Sequence, residues 1–143
     1  MKRKRKNKIM IYIDGENIPE KKYESIMKWA ERRGCVVGCK VYGIQKDKST
    51  RAWTIRANTD KRLKDIRLYG KSEKNKVDSK IIDDIRKGMR NDNNANMIVI
   101  ASSDKDFSDI AIETRRAGEK VIGIGEAKAS NKLRSSYDEF WEV

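Results

Sequence analysis

Five short apolar runs, separated by stretches with helical spacing, constrain this chain more than any other feature. Ile9–Ile13 (IMIYI), Cys35–Tyr42, Asp65–Tyr69 (DIRLY), Met97–Ala101 (MIVIA) and Val121–Ile124 (VIGI) have the length of strands. Between them apolar residues recur at helical intervals. Tyr23, Ile26, Met27 and Ala30 lead up to Gly34, and Val77, Ile81, Ile82, Ile85 and Met89 mark a second helix. Phe107, Ile110, Ala111 and Thr114 lead up to Gly118. Pro19 and Glu20 suit a first helical turn. Residues 50–62, around Trp53, Ile55 and Leu63, give a weaker helix, and a short one follows Ser130 before the chain ends in YDEFWEV. The continuous runs mark strands buried on both faces, whereas DIRLY alternates and suits a strand more exposed than the first. The pattern therefore predicts a five-stranded, mainly parallel sheet with helices on both sides. Right-handed crossovers leave a few doubly wound orders, which gather ligand sites at the carboxyl ends of strands, where the order reverses.

The chain has 143 residues, the size of one domain, and we expect a basic tail at 1–8 followed by a domain at 9–143. No apolar run approaches the ~20 residues a bilayer requires. The apolar run after MKRKRKNK, IMIYI, is too short for the h-region a signal peptide would need. The expectation is a cytoplasmic protein without a membrane partner, or a nuclear one if the source is eukaryotic and the tail serves import. Basic residues number 34 against 22 acidic ones, a net charge of +12. Residues 1–8 carry six basic residues and no acid, residues 40–76 carry twelve basic and four acidic, and the remainder is close to neutral. Such concentration attracts polyanions, nucleic acid most often, although a solvated face beside an inert tail would look the same.

Histidine is absent, which excludes Ser-His-Asp and Cys-His nucleophile pairs, and two cysteines alone cannot build a zinc site. Cys35 and Cys39 lie four apart in one strand, so alternation predicts a shared face and a bland role as small buried residues. Catalysis is left to carboxylates, a metal ion, lysine or a hydroxyl.

Two buried strands deliver acids at their carboxyl ends: Asp14 within DGEN, and Asp104 and Asp106 within SSDKD. Taken singly, each could cap a helix or open a turn. Capping does not readily account for both clusters meeting at one sheet edge. Asp78 precedes Ile81, Ile82 and Ile85 by three, four and seven residues, so it shares their apolar face in the first helical turn. A carboxylate there is costly unless paired or coordinated. Asp83 falls on the polar side, and Asp84, at the border, is a weaker candidate. Converging carboxylates without histidine suit a hard cation, Mg²⁺ or Mn²⁺, and with a basic surface they point to phosphodiester chemistry. There is no GxxxxGK[ST] loop.

IYIDGENI, KNKVDSKIIDDI, IVIASSDKDFSDI and GEKVIGIG, in that order, resemble the NYN domain, a branch of the PIN-like nucleases. The resemblance covers nearly everything after the basic tail. Its specific parts are D-G-x-N after the first strand and S-x-D-x-D-F after the fourth. It implies an α/β/α sandwich with strand order 3-2-1-4-5 and a divalent-metal-dependent ribonuclease. By motif, Asp14, Asp78 and Asp104 would be the core acids holding the ion, with Asp106 the additional acid, either orienting the attacking water or helping to bind an ion. Asn17 would position a water or a phosphate oxygen. Ser103 departs from the family, where glycine is common.

Secondary candidates for RNA contact are Lys76, Lys105, and Arg51 and Arg56 flanking Trp53 in TRAWTIR, where an aromatic between cations suits a stacked base. The alternatives are a solvated lysine and a core tryptophan. Trp29 and Trp141 read as packing residues. The leading expectation is a ribonuclease, by preference an endoribonuclease, acting on single-stranded or structured RNA. A second is an RNA-binding module of the same fold with little or no activity, and a third a structure-specific DNA nuclease. PIN-like domains often pair, so the resemblance leaves a homodimer open.

Overall fold

The computed structural model describes residues 7–70, 76–90 and 95–143. Most of the expected basic tail and residues 71–75 of the second basic stretch lie outside them. The strands are β1 (Asn7–Asp14), β2 (Gly34–Ile44), β3 (Leu63–Leu68), β4 (Met97–Ala101), β5 (Lys120–Gly125) and β6 (Glu139–Glu142). They form one sheet in the order β3-β2-β1-β4-β5-β6, every neighbouring pair parallel. The helices are α1 (Tyr23–Arg33), α2 (Arg51–Thr59), α3 (Lys76–Arg90), α4 (Ser108–Arg116) and α5 (Asn131–Ser135).

Alternation along the strands builds a core on each face. Ile9, Ile11 and Ile13 of β1 pack with Ile26, Met27 and Ala30 of α1 and Trp53 of α2. Met10 and Tyr12 pack on the other face with Val77, Ile81 and Ile85 of α3, Ile110 of α4 and Leu133 of α5. The three isoleucines of β1 are wholly inaccessible, each contributing ~1.5–3 kcal/mol by burial. Gly118 ends α4 with φ +93°, a left-handed conformation that favours glycine. Among the described residues no helix is long and apolar enough to cross a membrane.

Two details depart from expectation. The sheet has a sixth strand: β6 pairs with Ile122–Gly125 of β5, and its Trp141 stacks on Trp29 with ring centroids 5.8 Å apart. Four residues bounded by glutamates are too short to show a period. The second departure is a bulge. Ile9 pairs with Val36 and Met10 with Gly38, leaving Val37 as an extra residue, 42% exposed. One extra residue reverses the alternation. Cys35 is therefore exposed and Cys39 buried, on opposite faces rather than one. Burial pushes the Cys39 thiol up to about 12.

Candidate active site

Chain reversal between β1 and β4 puts the carboxyl ends of these two neighbours, and the start of α3, around one crevice. The loop leaving β1 turns back sharply. The Asp14 carbonyl accepts the N–H groups of Asn17 (3.1 Å) and Ile18 (2.8 Å), and Gly15 N–H donates to the Tyr42 carbonyl at 2.9 Å. A Cβ on Gly15 would lie 2.6 Å from that carbonyl oxygen, so this approach requires glycine.

Ser102 links the two loops. Its hydroxyl donates to Asp14 Oδ2 at 3.0 Å and accepts from Asp104 N–H at 3.1 Å. Asn17 Oδ1 accepts from Ser103 N–H at 2.8 Å, so this asparagine pins the β4 loop with its carbonyl oxygen. The Ser103 hydroxyl accepts from Glu126 N–H at 2.8 Å, tying the same loop to the end of β5. Asp104 caps the turn Lys105–Phe107 by accepting from Asp106 N–H at 2.9 Å. The capping explanation for Asp104 is thus correct, yet it occupies only one oxygen.

Asp78 sits in the first turn of α3 and is 6% exposed, as its place on the apolar face predicts. One carboxylate oxygen each from Asp78, Asp104 and Asp106 lie within 4.8 Å of one another. Asp78 Oδ2 is buried and has no hydrogen-bond partner. Loss of water, then repulsion from Asp14, Asp104 and Asp106, pushes the Asp78 carboxyl up to about 7. Asp14, 3% exposed, is not one of these three, although its charge acts on Asp78 more strongly than that of Asp104 or Asp106. Burial raises its carboxyl to about 6 against the lowering effect of the Ser102 hydrogen bond.

The other candidates disperse. Asp84 accepts from the Tyr42 hydroxyl at 2.7 Å and pairs with Lys80 at 3.1 Å, away from the triad's oxygens. The Lys76 ammonium donates to the Tyr69 carbonyl. Lys105 is exposed between Asp104 and Asp106. Trp53 cannot stack a base: it is 1% exposed, its Nε1–H donates to the Ile18 carbonyl at 2.8 Å, and its ring meets Tyr23 edge-on. Two residues along a helix is more than half a turn, so Trp53 faces inward and Ile55 outward at 59% exposure. Arg56 is held by Glu20 at 2.6 Å and Glu24 at 3.5 Å, whereas Arg51 is exposed.

Sequence reasoning passed over Glu16, the variable position of D-G-x-N. Its Oε1 accepts from Ile44 N–H at 2.8 Å, and it is hydrogen-bonded to Asp47. Desolvation, then this second acid, raises the Glu16 carboxyl to about 7, while its hydrogen bond lowers Asp47. An acid two residues after a strand-end acid was the available signal.

A model of the NYN domain matches residues 8–143. No curated protein matches the chain. Among solved structures, a protein of unknown function from Vibrio parahaemolyticus is similar over 100% of this chain and 96% of its own, with a TM-score of 0.76 and 22% identity. That similarity shows a shared fold. A nicotinic acid mononucleotide adenylyltransferase from Plasmodium falciparum, complexed with NaAD, reaches a TM-score of only 0.47 at 11% identity, covering 96% of this chain and 74% of that one.

Proposed function

Because this chain belongs to the NYN domain family of PIN-like nucleases, we propose that it is a divalent-metal-dependent ribonuclease that hydrolyses phosphodiester bonds within an RNA strand. The observation that carries this reading is the unpartnered, buried Asp78 oxygen beside two further carboxylates. Burial first, and then repulsion from the neighbouring acids, raise the Asp78 carboxyl, so that a cation here would offset both. The donors are all oxygen, the set that Mg²⁺ or Mn²⁺ prefers.

Asp78, Asp104 and Asp106 would hold the ion. When bound, it would supply positive charge that polarises a phosphate and acidifies a water. Asp78 must be deprotonated to serve, so the ion would displace its proton and metal affinity would fall as pH drops. Asp14 acts through Ser102, fixing the Asp104 loop, and adds negative charge that acts on Asp78. Asp106, the exposed member, orients the attacking water. The Asn17 amide, anchored by its oxygen to Ser103 N–H, can direct its NH₂ donors at a phosphate oxygen.

The test is cleavage of end-labelled single-stranded RNA in Mn²⁺, in Mg²⁺ and in chelator, with matched DNA and with Asp104→Asn alongside. The reading predicts metal-dependent cutting of RNA at internal positions, reduced by ~10²-fold or more in the variant. Binding without cutting would favour the RNA-binding module. Preference for DNA would favour the DNA nuclease. Equal cutting by the variant would remove Asp104 from the chemistry.

A further inference from the structure

On the same carboxyl edge, past the acids, the ends of β2 and β3 and the start of α2 enclose a cleft of about 450 Å³. Its lining includes Lys46, Lys48, Arg51, Arg67 and Asp47. Two of these charges are already engaged. Arg67 grips Asp65 through Nε (2.8 Å) and Nη2 (2.5 Å) and donates to the Thr50 hydroxyl. Asp47 accepts from the Ser49 N–H (2.9 Å) and hydroxyl (2.6 Å), and is hydrogen-bonded to Glu16. Lys46, Lys48 and Arg51 have no acidic partner among the described residues. Three such cations therefore line one concavity together with Arg67, and the Asp47 carboxylate offsets only part of their charge.

The cleft is joined to the acids by one loop. Glu16 follows Asp14 by two residues, accepts from Ile44 N–H, and bonds Asp47 on the cleft wall. Along the sheet β4 and β2 are two strand spacings, about 10 Å, apart, with Asp78 of α3 over one face and the cleft beside α2 over the other, so a nucleic-acid strand laid across the carboxyl edge would meet both. The lining offers no aromatic ring on which a base could stack, since Trp53 points into the core. Cations without aromatics read the backbone rather than the bases.

We propose that this cleft is a phosphate subsite of the nuclease centre, in which Lys46, Lys48 and Arg51 hold a backbone phosphate of the RNA strand flanking the scissile bond. The identity of the anion rests on the ribonuclease reading. The subsite positions the strand without regard to sequence, and it puts to use the basic stretch that the TRAWTIR pattern only partly located.

The experiment is binding of a fluorescent single-stranded RNA oligonucleotide in chelator, followed by anisotropy from about 50 to 200 mM salt. The variants are the triple Lys46→Ala/Lys48→Ala/Arg51→Ala and a control triple, Lys28→Ala/Lys87→Ala/Arg116→Ala, which removes three exposed cations outside the cleft. The cleft triple should bind ~10-fold or more weakly at the lowest salt, with the slope of log K against log salt shallower by about 0.7, the change for one lost phosphate contact on a single strand. The control should stay within about twofold of the unmodified protein. Unchanged affinity and slope in the cleft triple, or an equal loss in the control, would overturn the proposal. Chelator separates this outcome from the activity. Selective loss of binding in a protein that never cuts RNA would refute the nuclease reading and not the cleft, whereas retained binding in one that does cut would refute the cleft alone.

Discussion

A carboxylate on the apolar face of a helix keeps its proton until something positive offsets the loss of water. Asp78 is in that position, with a carboxyl raised to about 7 from an ordinary value near 3.8. The folded chain then holds this proton more tightly than the unfolded chain does. The contribution to stability is fullest below about pH 4 and is lost as pH rises through 7. In metal-free protein, Asp78→Asn should therefore leave the thermal midpoint nearly unchanged at acid pH. Above pH 7 it should raise stability by up to about 4 kcal/mol, since the rise from 3.8 to about 7 is roughly three pKa units at about 1.4 kcal/mol each. Thermal scans of both proteins from pH 4 to 8 check this, and a difference that shrinks with rising pH would contradict it. Mn²⁺ should reverse the order, stabilising the native protein above pH 7 and leaving the variant largely unaffected.

At the scale of single elements, period decides what can be read in advance. α3 was legible in full because Val77, Ile81 and Ile85 fall on one stripe, and that stripe carried Asp78 into the core with them. α2 was read less well. The pattern centres a helix on Trp53, Ile55 and Leu63, but helix geometry sends only Trp53 inward and Leu63 opens β3. Trp53→Ala should accordingly cost ~3–5 kcal/mol in denaturant unfolding, by loss of packing rather than of RNA contact. β2 concealed its bulge because GCVVGC is apolar throughout, so no alternation was present to be broken. Deletion of Val37 should make the register regular while leaving Cys35 and Cys39 on opposite faces, since they are then three residues apart. In the native protein an alkylating thiol reagent should modify one cysteine quickly, with Cys39 protected until unfolding. Two fast thiols would deny the bulge.

Across the whole molecule, strand order does what no local pattern can. Placing β1 beside β4 joins Asp14 to Asp104 through Ser102, residues 88 and two positions apart in sequence. The acids themselves were readable because each ends a strand or opens a helix. Their division into a converging triad and a supporting Asp14 was not, since it depends on side-chain directions set by Ser102 and the Asp104 turn. Glu16 and the cleft past it escaped for a similar reason: Ile44 and Asp47 come from the end of β2 and the loop after it, and Arg67 from β3, both distant from Glu16 in sequence. The same edge thus carries an acidic centre beside a basic cleft, an arrangement suited to a polyanion that is both held and cut. The central claim is that Asp78, Asp104 and Asp106 receive a divalent cation. Anomalous diffraction from crystals grown above pH 7.5 and soaked in Mn²⁺ tests it most directly. The account predicts one dominant peak touching carboxylate oxygens of all three aspartates, absent from Asp78→Asn. A saturating soak that leaves this crevice empty, or a peak that persists unchanged in the variant, would contradict it.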